Sequence, residues 1–217
     1  MSPKTNQSPT LIWPAYWRSL KFRKILLLGL AVIAIILTLF PYFFQAIEKR
    51  HGHVIDDWVL NLIPAYDVSN AIFFFIWTTS LIALIRSAQD PMIFLTFLWS
   101  YILLCLSRMI TITLVPLEPP KNLYPIIDSM ANAFYGPHFI TRDLFFSGHT
   151  ATVFLMGLCF KKKYDRLYAF VSTTFVGVLL LVQHVHYTID VIAAPVCSWL
   201  IFLAARKIVG KQSPVIT

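Results

Sequence analysis

The sequence predicts an all-α membrane protein, a bundle of six transmembrane helices with both termini cytoplasmic. Three observations predict it. The 217 residues are 58% hydrophobic and only 13% charged, whereas a soluble domain is about half apolar and a quarter charged. The apolar residues gather into six runs, most of them long enough to cross a hydrocarbon core of about 30 Å. The basic residues are also shared unevenly between the two sides that six crossings create. The length suits one such bundle, with no separate soluble domain.

Residues 1–24 read as a cytoplasmic, interfacial tail. It is polar at first and then basic and aromatic, with Trp13, Tyr16, Trp17, Arg18, Lys21, Phe22, Arg23 and Lys24 suited to the headgroup level. The transmembrane domain follows over 25–206, and 207–217 is a short cytoplasmic tail. The first span runs from Ile25 to Phe44, too long for the apolar region of a secretory signal and without a small-residue cleavage site, so it reads as a retained signal anchor. The second runs from Val68 to Ile85 and the third from Pro91 to Thr113. The longest loop, Val115 to Phe146, is proline-rich and carries Glu118, Lys121, Asp128, His138, Arg142 and Asp143. The fourth span, Ser147 to Phe160, is short, which places its polar end against protein or a water-filled cavity. The fifth runs from Leu167 to Val185 and the sixth from Tyr187 to Ala205.

With the amino terminus inside, the inner segments carry Lys4, Arg18, Lys21, Arg23, Lys24, Arg86, Lys161, Lys162, Lys163, Arg166, Arg206, Lys207 and Lys211. The outer side keeps Lys49, Arg50, Arg108, Lys121 and Arg142. Thirteen against five is a positive-inside bias. The net charge of +8 is therefore a topology signal, and no nucleic-acid partner is expected. All six histidines and eight of the ten acids fall on the outer side, so any chemistry belongs to the exoplasmic face. Cys105, Cys159 and Cys197 lie inside apolar runs with no pairing pattern or metal spacing and read as small core residues.

Two segments at the outer mouths of spans carry the candidate chemistry. In Ser147-Gly148-His149-Thr150, Ser147 is a predicted helix cap and Gly148 permits close backbone approach. The free N–H groups there form an anion site, and His149 can donate a proton to a leaving oxygen. In His186-Tyr187-Thr188-Ile189-Asp190, a spacing of four puts His186 and Asp190 on one helical face. The carboxylate then holds Nδ1–H and leaves Nε2 free to attack phosphorus. The bland alternatives are a capping turn with an incidental imidazole and a buried ion pair between helices.

Around them, Arg108 has a fork suited to phosphoryl oxygens, with snorkelling as its alternative. Arg142 and Lys121 are further candidates for phosphate charge, or solvated loop residues. Asp143 is placed to tune His149, to bind an amine headgroup, or to cap. A His184/His186 metal pair is unfavourable, since helical residues two apart point about 200° apart. His51, His53, Asp56 and Asp57 read as solvated loop residues rather than a metal set. No metal and no cofactor is expected. Phe134, Tyr135 and Phe139 are candidates to surround a quaternary amine.

The strings Asp143-Leu-Phe-Phe-Ser-Gly-His-Thr150 and His184-Val-His-Tyr-Thr-Ile-Asp-Val191 resemble the sphingomyelin synthase family, within the type 2 phosphatidic acid phosphatase superfamily. A looser likeness runs from Arg108-Met-Ile-Thr through Leu114-Val-Pro-Leu-Glu-Pro. The resemblance implies six transmembrane helices, an exoplasmic site and double displacement through a phosphohistidine. His186 would be the nucleophile, Asp190 its orienter, and His149 the proton donor and later acceptor. It implies membrane lipids as partners: a glycerophospholipid donor of phosphocholine or phosphoethanolamine, and ceramide or a similar lipid alcohol as acceptor. Phosphatases of the superfamily usually carry arginine six residues before the second histidine; here that position is Leu180, which points to the synthase branch. The compact chain, without the longer loops and tails of animal synthases, points to a bacterial inner (plasma) membrane.

The expected function is thus a lipid phosphotransferase. A lipid phosphatase or phospholipase C-type hydrolase, with water as acceptor, is the alternative. A haem-binding membrane protein is a distant third, because it leaves Asp190 and the Ser-Gly turn without a purpose.

Overall fold

The computed structural model describes residues 12–125 and 140–211. Among these residues the regular structure is helical, apart from one isolated bridge between His53 and Leu117. Five helices are long and apolar enough to cross a membrane, and a sixth apolar helix has twelve residues.

Helix α1 (Ile12–Trp17) is a docked interfacial turn. Its Trp13 indole donates to the Ala88 carbonyl at 2.8 Å, and the ring meets Phe22 and Phe94. Helix α2 (Leu20–Glu48) starts before the expected span, because Ser19 caps it by accepting from the Phe22 N–H. Its 29 residues at about 1.5 Å each outrun the hydrocarbon core, so both ends stand in the interface. Helix α3 (Trp58–Leu62) is a short outer turn capped by Asp57.

Helices α4 (Ser69–Gln89) and α5 (Pro91–Leu114) meet at a tight corner. There Asp90 accepts from the Met92 N–H, and Pro91 occupies the first helical position, where its missing N–H costs nothing. Helix α6 (Gly148–Cys159) packs against α4, α5, α7 (Lys163–Val182) and α8 (Thr188–Val209). Seven of its twelve residues are buried. Being walled by protein, it has no hydrocarbon thickness to match, which accounts for its length. Gly177 lets α7 close on α8, since a Cβ there would lie 2.7 Å from Val191.

The two ends of the bundle differ. At one end Arg86 forks onto Asp165, Lys161 pairs with Asp90, and Trp13 reaches Ala88. At the other end the loops before α3, after α3, after α5 and before α6 converge on the α7–α8 turn. The links include Ile55 to Tyr187, Tyr66 to Val182, Tyr124 to Gln183 and Ser147 to Asp190. The candidate residues occupy this second end.

Candidate active site

The α7–α8 turn is not helical where a helix was expected. Val182 is the last residue of α7, His184 takes a left-handed φ of 53°, and α8 begins only at Thr188. His186 therefore stands outside α8, and the i, i+4 helical face assumed from spacing does not apply. The pair forms another way. Asp190, in the first turn of α8, reaches back toward the turn. Its Oδ2 lies 3.3 Å from His186 Nδ1 and accepts from the Tyr187 N–H at 3.1 Å. Both side chains are buried, His186 at 3% and Asp190 at 0% exposure. Asp190 Oδ1 is buried with no hydrogen-bond partner among the described residues. Such a carboxylate is poised to stabilise a cation formed on the imidazole.

The second half of the site comes from the outer end of α5. Thr111 donates its hydroxyl to the Phe145 carbonyl at 2.9 Å, and Arg108 Nε donates to the Phe146 carbonyl at 3.1 Å. Together they dock the turn that leads into α6, in which Phe145 holds a left-handed φ of 48°. Ser147, fully buried, caps α6 by accepting from the Thr150 N–H. The Arg108 fork also donates through Nη2 to Asp143 at 2.5 Å. Its Nη1 lies over Gly148, where a Cβ would come within 2.3 Å. The close approach that glycine permits is thus to Arg108. A guanidinium beside the first turn of a helix sums two positive potentials at one spot.

One hydrogen bond joins the halves: the Ser147 N–H donates to the Asp190 carbonyl at 3.1 Å. It sets the turn carrying His149 against the first turn of α8. Ser147, Gly148, Asp143, Arg108, His186 and Asp190 are therefore parts of one assembly.

Other expected residues lie elsewhere. Arg142 forks onto Glu118 through Nε at 3.0 Å and Nη2 at 2.7 Å, and it also reaches Glu48. Glu48 in turn accepts from the Thr141 and Arg142 N–H groups. Arg142 is a loop brace facing two carboxylates. Lys121 lines a cleft of roughly 700 Å³ with Asp56, Asn61, His184 and Tyr187. The His184 ring sits between two carbonyls, of Lys121 and Ile63, each 3.0 Å from a ring nitrogen. The helical argument against a metal pair fails with the helix, but the ring is engaged by those carbonyls. Phe134, Tyr135, His138, Phe139 and Asp128 lie outside the described residues.

Sequence reasoning missed Asp57, Glu118 and Tyr187. Asp57, expected as a solvated loop residue, accepts from Val59, Leu60 and Thr188. Partial burial works to raise its carboxyl, but those hydrogen bonds outweigh it and hold the group below the ordinary carboxylate value. Glu118 is held low as well, chiefly by the Gly52 N–H and then, against some desolvation, by Arg142. The buried Tyr187 hydroxyl donates to the Glu118 carbonyl and accepts from the Ile55 N–H. An aspartate directly before a short apolar run was the one available cue, as a helix cap.

The fold and this assembly define a multi-pass, all-helical membrane protein with a polar histidine centre at one end of its bundle. Residues 142–207, about three-tenths of the chain, match the family model described as PAP2 superfamily C-terminal, and the match spans both histidine motifs. It supports the type 2 phosphatidic acid phosphatase superfamily, and with it an enzyme of phosphatase or phosphotransferase type acting on lipid phosphates. No curated protein matches the chain.

Proposed function

We propose that the protein is an integral-membrane lipid phosphotransferase that moves a phosphoheadgroup from a glycerophospholipid to ceramide or a similar lipid alcohol. The observation that carries this reading is the bonded assembly of His186–Asp190, the Ser147–Gly148 turn and the Arg108 fork. In the first half-reaction His186 Nε2 forms a bond to phosphorus, and the bond from phosphorus to the diacylglycerol oxygen breaks. His149 delivers the proton that this oxygen needs, and Asp190 stabilises the cationic imidazole. In the second half-reaction the acceptor hydroxyl attacks the phosphohistidine and gives its proton to His149, and Nε2 is released. Arg108 and the first-turn N–H groups of α6 hold the phosphoryl oxygens.

In this reading the short α6 serves as a sixth crossing and both termini are cytoplasmic, which the basic-residue asymmetry supports. The site then faces the exoplasmic side of a bacterial inner membrane. A second reading, hydrolysis with water as acceptor, shares the first half-reaction, and the family match covers phosphatases and phosphotransferases alike. Haem binding leaves Asp190 and the Arg108 fork without work.

Purified protein in nanodiscs, given headgroup-labelled phosphatidylcholine or phosphatidylethanolamine with and without ceramide, tests the reading. A new acceptor-dependent lipid supports transfer, and soluble phosphoheadgroup supports hydrolysis. No turnover of any lipid phosphate would sink both. Unaltered turnover by His186→Ala would remove the covalent step.

A further inference from the structure

We infer that Asp57 is a positioning residue for the histidine pair: its carboxylate is a strut fixing the first turn of α8, and with it Asp190 and His186. The inference rests on reading that pair as the reacting centre. Asp57 Oδ1 accepts from the Val59 and Leu60 N–H groups at 3.0 and 3.4 Å, which caps α3. The same carboxylate accepts the Thr188 N–H at 2.6 Å through Oδ2 and the Thr188 hydroxyl at 3.0 Å through Oδ1. Thr188 is the first residue of α8, so its N–H is one of the donors that a helix leaves without an internal partner.

The local cap of α8 does not serve that donor. Tyr187 occupies the cap position, but its hydroxyl is held at the Glu118 carbonyl and the Ile55 N–H. Asp190 Oδ2 serves the Tyr187 N–H instead. Asp57 therefore supplies, from 131 residues away, the cap that the chain around α8 lacks. Two carboxylates share the positive end of α8: Asp57 takes Thr188, which leaves Asp190 to Tyr187 and His186. Without the Asp57–Thr188 bonds the first turn of α8 loses its outside anchor, and Asp190, whose Oδ1 has no partner among the described residues, is no longer held in register with His186 Nδ1.

Two substitutions separate this role from capping α3. Asn caps a helix about as well as Asp, but an amide nitrogen cannot accept the Thr188 N–H, so Asp57→Asn keeps the α3 cap and breaks the strut. Thr188→Pro removes both donors and leaves Asp57 untouched. Proline is favoured at a first helical position, and the Tyr187 backbone, at φ −74° and ψ 156°, suits a residue before proline.

The full chain in nanodiscs is followed by hydrogen exchange over residues 57–62 and 187–191, and by kcat and KM on a lipid phosphodiester. Both variants should exchange about 10-fold faster over 187–191 with residues 57–62 unchanged, and should lose about 10- to 100-fold in kcat at constant KM. Wild-type exchange over 187–191 in both variants overturns the strut. Faster exchange with an unchanged kcat overturns the positioning role. If the wild type turns over no lipid phosphate, the functional reading fails, and the exchange result alone decides whether the strut exists.

Discussion

Gly148→Ala probes the Arg108 fork without touching a charged group. A Cβ at this position would lie 2.3 Å from Arg108 Nη1 and 2.7 Å from Cζ, so Nη1 falls about 1.1 Å short of the 3.4 Å at which ordinary contact begins. The backbone accepts alanine, because Gly148 opens α6 without a positive φ. Helix propensity even favours the change, by up to about 1 kcal/mol. The guanidinium must therefore move. A shift of that size strains its bonds to Phe146 at 3.1 Å and Asp143 at 2.5 Å, each worth about 1.5–3 kcal/mol as a charge-assisted hydrogen bond. Arginine is flexible enough to keep part of both, so the fold should survive with an unfolding temperature a few degrees lower. Catalysis should suffer more, because a 1 Å misplacement costs on the order of 100-fold, about 2.7 kcal/mol of transition-state stabilisation. Steady-state turnover of labelled lipid and a thermal melt on the same preparation separate the two effects. A Gly148→Ala protein that melts like wild type and keeps kcat/KM within about threefold, far from that 100-fold, would refute the placement of the phosphate at Arg108.

Asp190→Asn should lower kcat by about 10²-fold or more with little change in melting, since the amide oxygen can still accept from His186 Nδ1 and the Tyr187 N–H but brings no charge to stabilise the cationic imidazole; single-turnover kinetics would show this as a loss of the first half-reaction. Arg142→Met should act oppositely, lowering the melting temperature by a few degrees while turnover per folded molecule stays within about threefold of wild type, because its partners are Glu118 and Glu48 rather than the histidine centre. Asp57 and Glu118 are both held below their ordinary values. The stability they contribute is full above the unfolded carboxylate values of about 4 and is lost as pH falls through the folded ones, so melts should be flat from pH 7 to 5 and decline below about 4. A decline already complete at pH 5 would contradict the hydrogen bonds assigned to them.

Much of the bundle was legible because apolar runs and cap residues act locally. Asp90 before Pro91, and Ser147 before Gly148, mark helix starts by chemistry that needs no distant partner. The α7–α8 turn was not legible. Residues 183–187, Gln-His-Val-His-Tyr, hold no glycine or proline to stop the helix before them, and what unwinds them is tertiary: Gln183 donates to Ser69, His184 lies between two loop carbonyls, and Tyr187 is bolted to Glu118. No local pattern encodes those partners. The His186–Asp190 pairing was anticipated from spacing, but it arises from a first-turn carboxylate reaching backward. Arg142 and Arg108 looked alike as candidates for phosphate charge; only the positions of Glu118 and Asp143 separate a brace from a fork beside the helix turn.

The charge around the centre bears on which phosphate it suits. Arg108 is the arginine at the Ser147–Gly148 turn among the described residues, and Asp143 already shares it. Arg142 is matched by Glu118 and Glu48. At the position where the phosphatases carry arginine stands Leu180, fully buried in an apolar cluster with Ile72, Val153 and Val176. Two buried or partly buried carboxylates, Asp190 and Asp57, flank the first turn of α8. A phosphomonoester brings about two negative charges and a phosphodiester only one, and an unmatched charge is costly in so enclosed a place. With so little positive charge among the described residues to meet it, the proposed site suits a diester better. A phospholipid with its headgroup attached is such a diester, and in the proposed reaction the headgroup would leave with the phosphorus rather than before it.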